Sequence, residues 1–342
     1  MVSRGWHAGR ASPGTGRGVV IALNLRRMVL IALALVGVSA AAQAEAAGRV
    51  YTANMESGTV SVIDADSMKV VFTIDARGHQ TDDLSLSPDE SRLFATNLHS
   101  GTLAVVDTAT NQVIATIQTG KKAHSIALTP DGKQVWVVNG GEEYLTIVDV
   151  ISLRIVGRVS LGQIIGPGYA RFSPEGTWAY VTSPIQGTVS VIDVASKKVV
   201  ARVEVGERPT FIQVTSDGRR VWGTDTGGDE IFALDGSSNR LLGKLTVGKA
   251  PSHLAIVGDS LYVTVGGANE VAMVGDVGGQ VSVKGRIKVG GRPRGIRPSP
   301  DGKRLYVTSE GTNDLHVIDI ASQKIVGTVP VGRRPVAVVT AR

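Results

Sequence analysis

After position 45, apolar residues occur in short runs rich in valine, isoleucine and threonine, separated by turns that contain glycine, proline and aspartate. Such β-branched runs, bounded by turn-forming residues, are typical of β-strands. No long amphipathic helical pattern interrupts them. The pattern therefore predicts an all-β protein.

The runs belong to a repeat that two independent markers define. One marker is a strand ending in aspartate, which recurs every 41 to 44 residues, at Asp64, Asp107, Asp149, Asp193, Asp235, Asp276 and Asp319. The other is one aromatic residue upstream of each aspartate, at Tyr51, Phe94, Trp136, Tyr180, Trp222, Tyr262 and Tyr306. We expect the aspartates to accept N–H bonds from the following turn, and the aromatic rings to pack between repeats. Both markers count seven repeats.

Each repeat contains four short strand-like segments, with turns such as Ser299-Pro300-Asp301-Gly302 between them. Four strands in a repeat of about forty residues are typical of a β-propeller blade, and a solenoid is the competing architecture. The first repeat begins at Arg49 without its first strand, whereas residues 334–339 form a first strand with nothing after it. Together the two segments make one complete blade. We therefore predict a seven-bladed β-propeller of four-stranded blades over residues 45–342, closed by the C-terminal strand.

Residues 1–44 have a different pattern. Arg26 and Arg27 precede an apolar stretch from Met28 to Val38, and small residues follow it up to Ala44. This order is typical of a secretory signal peptide of the general export pathway, and the stretch is short for a membrane span. We predict cleavage after Ala44, with cleavage after Ala46 as the alternative, and a periplasmic or secreted protein.

Removal of the leader changes the charge. The formal charge of +6 includes five arginines and no acidic residue within positions 1–44, so the mature chain carries a net charge of +1. That balance gives no support for nucleic-acid binding. The absence of cysteine excludes thiolate zinc sites, iron–sulfur clusters held by cysteine and catalytic thiols.

Candidate chemistry lies where the innermost strands of the blades begin. Equivalent positions near one mouth of the central channel are Asp82, His124, Gly168, Thr210, Ser252, Arg294 and Val336. The next position of each strand is also expected at this mouth and is occupied by Asp83, Ser125, Tyr169, Phe211, His253, Gly295 and Ala337. Asp82, Asp83, His124, His253 and Arg294 are the polar and charged side chains that we predict as the ligand-binding set. Histidine and carboxylate groups there could ligate a metal or act as an acid–base pair, and a polar mouth that simply faces water is the other interpretation.

The segments LYVTS, SVID and VGRRP, with Ser-Pro-Asp-Gly between them, resemble the YVTN family of β-propeller repeats over residues 49–342. More distantly, the chain resembles the propellers of cytochrome d1 nitrite reductase and nitrous-oxide reductase. The resemblance implies an exported propeller, and fold kinship alone does not carry function.

No catalytic sequence motif is present. We therefore interpret the chain as a non-catalytic binding scaffold, a monomer without cofactor, metal or catalytic residues, whose partner is a protein or a small anionic ligand. No nucleic acid and no membrane span after cleavage are expected. Two alternatives remain: an enzyme or cofactor carrier that uses the channel mouth, such as a metal-assisted lactonase or lyase or a d1-type haem binder, and a structural component of a surface layer.

Overall fold

The computed structural model describes residues 48–277 and 280–342. The predicted export signal lies outside the described residues and stays a prediction. Within these residues every regular element is a β-strand, and no helix is long and apolar enough to cross a membrane.

Twenty-eight strands form seven antiparallel sheets of four strands, which are the blades. The innermost strands are β4 (Thr81–Leu86), β8 (Ala123–Leu128), β12 (Ala170–Phe172), β16 (Pro209–Val214), β20 (Pro251–Val257), β24 (Pro293–Pro298) and β28 (Pro335–Thr340). The second strands are β1 (Arg49–Asn54), β5 (Arg92–Asn97), β9 (Gln134–Asn139), β13 (Trp178–Ser183), β17 (Arg220–Asp225), β21 (Ser260–Val265) and β25 (Arg304–Ser309).

The outer half of each blade completes it. The third strands are β2 (Thr59–Asp64), β6 (Thr102–Asp107), β10 (Tyr144–Asp149), β14 (Thr188–Asp193), β18 (Glu230–Asp235), β22 (Glu270–Val277) and β26 (Asp314–Asp319). The outermost strands are β3 (Lys69–Asp75), β7 (Gln112–Gln118), β11 (Ile155–Ser160), β15 (Lys198–Glu204), β19 (Leu241–Thr246), β23 (Gln280–Lys288) and β27 (Lys324–Pro330).

The C-terminal strand completes the first blade, as the sequence predicts. Strand β28 pairs antiparallel with β1, with Val338 opposite Thr52 and Val339 opposite Tyr51, and the sheet order is β28-β1-β2-β3. The prediction of a seven-bladed propeller closed in this way is confirmed. Closure leaves no unpaired inner strand at the junction of the first and last blades.

The hydrophobic core lies between the blades. All seven repeat aromatics are buried, and the Trp136 ring meets Phe172 of the next blade edge-on at 4.9 Å between centroids. The Tyr180 hydroxyl donates to Asn239 Oδ1 of the next blade at 2.9 Å. The aromatic marker is therefore a packing element, and that prediction is confirmed.

Six of the seven repeated aspartates shape turns, also as predicted. Asp64 Oδ1 accepts a hydrogen bond from the Ser67 amide at 2.7 Å, and Asp149 accepts one from Ser152 at 2.7 Å. Asp107, Asp193, Asp235 and Asp319 make the same kind of contact. Because these carboxylates are used locally, they are not available as channel ligands.

A threonine in the second strand ties neighbouring blades together around the channel. In the second blade, Thr96 Oγ1 accepts a hydrogen bond from the Asp83 amide at 3.0 Å and donates to the His124 carbonyl at 2.7 Å. Thr182, Thr224 and Thr264 repeat both contacts. These paired bonds fix the inner strands where the mouth side chains leave the backbone.

Candidate functional site

A cavity of about 590 Å³ opens at one mouth of the channel, and we call it the mouth cavity. Its wall includes five of the seven equivalent positions that the sequence singles out: His124, Gly168, Thr210, Ser252 and Arg294. Tyr169 and His253, at the following position of their strands, also line it. The repeat alignment therefore selected residues that border this cavity.

His124, which lines the mouth cavity, is in contact with the buried Asp82. His124 Nδ1 lies 2.6 Å from Asp82 Oδ2, and the Asp82 side chain is 2% exposed whereas that of His124 is 23% exposed. Burial has the largest single effect and opposes the imidazolium, but the charge and the hydrogen bond of Asp82 together outweigh it, so the pKa of His124 is raised. Burial likewise opposes the Asp82 carboxylate, and His124 and Arg294 outweigh it, so the pKa of Asp82 is lowered. Since Nδ1 faces Asp82, Nε2 is the ring nitrogen available for chemistry.

Arg294 extends this pair into a charge network that crosses from blade seven to blade two. Its guanidinium lies 3.7 Å from Asp82 Oδ1 and donates to Glu310 Oε1 at 3.0 Å. Glu310 Oε2 also lies 3.6 Å from Arg334 and 3.7 Å from Arg292. The two buried carboxylates therefore hold Arg294 in place, while Arg292 remains exposed at the rim.

His253 belongs to a different, aromatic part of the mouth cavity. Its Nε2 lies 3.0 Å from the Tyr169 hydroxyl, and its Nδ1 lies 3.0 Å from Ser252 Oγ. The rings of Tyr169, Phe211 and His253 contact one another at 4.3 to 5.1 Å between centroids and are buried. Burial, together with the charges of Arg294, Arg171 and Arg297, holds the pKa of His253 well below its usual value. We call the three rings the aromatic floor.

The structure separates the five predicted ligand-binding residues. Asp82, His124 and Arg294 are in direct contact, and Tyr169 links them to His253, since the His124 and Tyr169 rings meet edge-on at 4.9 Å. Asp83 does not join them. Its Oδ2 accepts hydrogen bonds from Ser125 Oγ and the Ile126 amide, both at 3.0 Å, so this carboxylate fastens strand β4 to strand β8.

Glu310 is the site residue that the sequence analysis missed. It directly follows the second strand of its blade, and the equivalent residues are Met55, Leu98, Gly140, Pro184, Thr226 and Gly266. Glu310 is therefore the one carboxylate at that position among the seven repeats. Comparing this loop position across repeats, as was done for the inner strands, would have found it.

The arrangement suits proton transfer beside a fixed cation. A histidine that a buried carboxylate orients can take a proton from water and return it, and an arginine next to it can stabilise a developing negative charge. Within residues 48–277 and 280–342, no three His, Asp or Glu side chains group as metal ligands.

A family model described as "Lactonase, 7-bladed beta-propeller" matches residues 34–329. No curated protein matches the sequence. Among solved structures, the periplasmic gluconolactonase of Pseudomonas aeruginosa is 18% identical, with a TM-score of 0.71, over 86% of this chain and 99% of that one.

Two further solved structures are similar. A Bacteroides fragilis protein provisionally assigned as a 6-phosphogluconolactonase is 15% identical over 88% of this chain and 99% of that one, with a TM-score of 0.73. The dihydro-haem d1 dehydrogenase NirN, solved with DHE, is 15% identical over 87% of this chain and 76% of that one, with a TM-score of 0.65. At these identities each likeness shows the fold alone.

The family match corrects the sequence interpretation. The reading of the chain as a non-catalytic scaffold is wrong, because the family model that matches most of the chain describes a lactonase, which the sequence analysis kept as an alternative. The name YVTN is not the family that the match supports, although the blade count agrees. Short motifs could not reveal the chemistry because Asp82, His124, Arg294 and Glu310 come from three different blades.

Proposed function

Because the chain belongs to the family of seven-bladed β-propeller lactonases, we propose that it hydrolyses a lactone in the mouth cavity. The observation that carries the proposal is the 2.6 Å contact between Asp82 and His124 beside Arg294. A cyclic ester needs an activated water, a group that stabilises the oxyanion and an acid for the leaving oxygen. These three residues supply all three functions.

In the proposed reaction, His124 Nε2 takes a proton from a water molecule while Asp82 holds Nδ1. The water oxygen bonds to the lactone carbonyl carbon, and the carbonyl electrons move onto its oxygen, which Arg294 stabilises. The C=O bond then re-forms and the bond to the ring oxygen breaks. His124 returns its proton to that oxygen, which gives a hydroxy acid.

Ser252 offers an alternative nucleophile, since its Oγ lies 3.0 Å from His253 Nδ1. This pair is the weaker choice because the base must hold the proton that it removes. Burial and three nearby arginines disfavour a protonated His253, and its pKa is lowered accordingly. His124, with a raised pKa and a carboxylate partner, can hold the proton.

The rim of the mouth cavity favours a substrate that carries a negative charge. Arg208 and Arg292 line the cavity and are exposed. Glu310, the acidic residue of the lining, contacts Arg294, and the buried Asp82 contacts His124. Arginine binds carboxylate and phosphate groups through two parallel N–H donors. The export signal predicted in residues 1–44 supports a substrate outside the cytoplasm.

The test is a hydrolysis assay with a panel of neutral, carboxylated and phosphorylated lactones, which follows proton release at constant pH. We expect hydrolysis above the spontaneous rate, and a loss of about 10²- to 10⁴-fold in kcat/KM in His124→Gln. His99→Gln, which changes an exposed loop histidine, is the matched control and should retain activity.

Measurements with and without EDTA determine whether activity requires a metal. Two outcomes contradict the proposal: no turnover of any lactone, or equal turnover by wild-type protein and His124→Gln.

A further inference from the structure

Blade six lacks the turn that follows the third strand in the other blades. In those six blades the repeat aspartate pairs with the first residue of the second strand, as Asp235 does with Arg220. In blade six Gly275 holds that place opposite Ser260, and the two outer strands continue beyond it as one hairpin. A continued hairpin therefore replaces the aspartate turn in this blade.

The turn after the innermost strand of blade six is also shorter. Four residues lie between the paired Ile256 and Leu261, whereas six lie between the equivalent pair, Val214 and Val221, of blade five. Both changes leave space at the end of the strands, where a groove of about 560 Å³ separates blade six from blade five. We call it the blade-six groove, and its lining includes Arg220, Trp222, Ile256, Leu261, Val274, Gly275 and Val281.

The blade-six groove deprives Arg220 of a contact between blades. Arg49, at the same strand position in blade one, donates through Nη1 to the Thr108 carbonyl at 2.9 Å, and Arg304 donates to the Ala65 carbonyl at 3.1 Å. Each acceptor directly follows the repeat aspartate of the next blade. Since blade six has no such turn, the exposed Arg220 guanidinium makes no hydrogen bond or ion pair among the described residues.

Trp222 lies two positions further along strand β17, so its side chain leaves the same face of the strand as that of Arg220. In blade three these positions hold Gln134 and Trp136, and the Trp136 indole N–H donates to Gln134 Oε1 at 3.2 Å. Arg220 offers only donors, and the Trp222 N–H has no partner within the part of the chain that the structure describes. Trp222 is 8% exposed, against 1% for Trp136. Two neighbouring donors therefore face the groove without an acceptor.

The acidic side chains of the groove do not supply that acceptor. Asp217 Oδ1 accepts hydrogen bonds from Thr215 Oγ1 at 2.6 Å and from the Arg219 amide at 3.0 Å, and its Oδ2 lies 3.6 Å from the Arg219 side chain. Asp259 is exposed in the turn between β20 and β21. Its charge weakens the attraction of the groove for an anion, but it leaves the donors of Arg220 and Trp222 free.

We propose that the blade-six groove binds a small hydrophobic carboxylate. Its oxygens accept hydrogen bonds from Arg220 and Trp222, and its apolar body packs against Ile256, Leu261 and Val281. A carboxylate suits the arginine fork, and a hydrogen bond between charged groups is stronger than one between neutral groups. The volume of the groove lies within the range of about 300–1,000 Å³ that is usual for small-molecule sites.

The blade-six groove is separate from the proposed lactone chemistry. Strand β20 begins at Pro251 in the lining of the mouth cavity, and Ile256, near its other end, lies in the groove. The two cavities share no lining residue. Binding in the groove can therefore be measured whether or not the protein hydrolyses a lactone.

Calorimetric titration with phenylacetate tests the proposal. Wild-type protein should bind one phenylacetate, and the uncharged phenylacetamide should bind at least about tenfold more weakly, because the contact with Arg220 loses its charge. Arg220→Gln should weaken phenylacetate binding by about tenfold or more. This variant should keep the wild-type Tm, because the guanidinium makes no bond to another blade.

Arg304→Gln is the matched control, since it changes the same strand position in blade seven. It should lower Tm, because it removes the bond to the Ala65 carbonyl, and it should bind phenylacetate with wild-type affinity. The double variant Arg208→Gln/Arg292→Gln, which alters the rim of the mouth cavity, should also bind phenylacetate with wild-type affinity.

The proposal fails if phenylacetate does not bind, if phenylacetamide binds equally well, or if Arg220→Gln keeps the full affinity. It also fails if the double variant of the rim abolishes binding, because phenylacetate would then occupy the mouth cavity.

Discussion

His124 and His253 border the same cavity, and burial disfavours the protonated form of both, yet their pKa values move in opposite directions. The difference comes from the neighbours of each ring. Blade two places Asp82 2.6 Å from His124, whereas His253 contacts the hydroxyl groups of Ser252 and Tyr169. Three arginines then add to the effect of burial on His253. The comparison teaches that a carboxylate from an adjacent blade decides which histidine can carry a proton.

Removing that carboxylate should have the largest effect. Asp82→Asn should lower kcat/KM for lactone hydrolysis about 100-fold above pH 8, because His124 loses both its orientation and its basicity. Neutral His124 is the active base, so activity of the wild-type enzyme should rise with pH through a pKa above the usual 6.5 of histidine. In Asp82→Asn this acidic limb should move to lower pH. If the acidic limb of the pH–rate profile is unchanged in Asp82→Asn, it reports the titration of a group other than His124.

A carboxylate placed beside His253 should reduce the difference between the pKa values of His124 and His253. Ser252→Asp places an acid beside His253 Nδ1, and we expect the pKa of His253 to rise by about one unit, equivalent to ~1.4 kcal/mol. NMR titration of the imidazole measures this shift. Ser252→Asn is the uncharged control and should leave the pKa low. If Ser252→Asp also leaves it low, the arginines rather than the missing carboxylate control His253.

The smallest expected effect is on stability, where the two histidines should act on opposite sides of neutrality. The folded state binds the His124 proton more tightly than the unfolded state does, so this stabilisation is full below pH 6.5 and is lost as pH rises through the raised pKa. His253 has the opposite sign: its pKa is lowered in the folded state, so stability is lost as pH falls below 6.5.

Thermal unfolding between pH 5 and 9 separates the two effects. His124→Gln should flatten the alkaline side of the stability curve, and His253→Gln the acidic side, each by about 1 kcal/mol. If either variant changes stability equally on the acidic and the alkaline side, the two histidines do not affect stability with opposite signs.

The sequence predicts the fold well because its markers are local and repeated. Asp64 and Tyr51 each act within their own blade or against the next one, so their spacing carries the count, the strand order and the closure. The mouth positions follow from the same periodicity, which is why His124 and Arg294 could be predicted. Their partners could not, because the contact of Arg294 with Asp82 joins residues from the last blade and the second.

The repeat pattern does not show which residue at a repeated position has a role of its own. Asp82 and Asp83 are adjacent in sequence and both buried, yet one carboxylate meets a histidine in the mouth cavity and the other fastens two strands. The strand register shifts between Thr81 and Leu84, so simple alternation along the strand does not assign the direction of either side chain. Sequence position alone cannot assign such neighbours to function or to structure.

The closure by β28 also has a consequence for the order of synthesis. Strand β1 is translated before the other blades, but its partner at residues 335–340 is translated only after all of them. At a synthesis rate of about 5–20 residues per second, β1 remains without that partner strand for tens of seconds. The ring therefore cannot close until the strands of all seven blades have been synthesised.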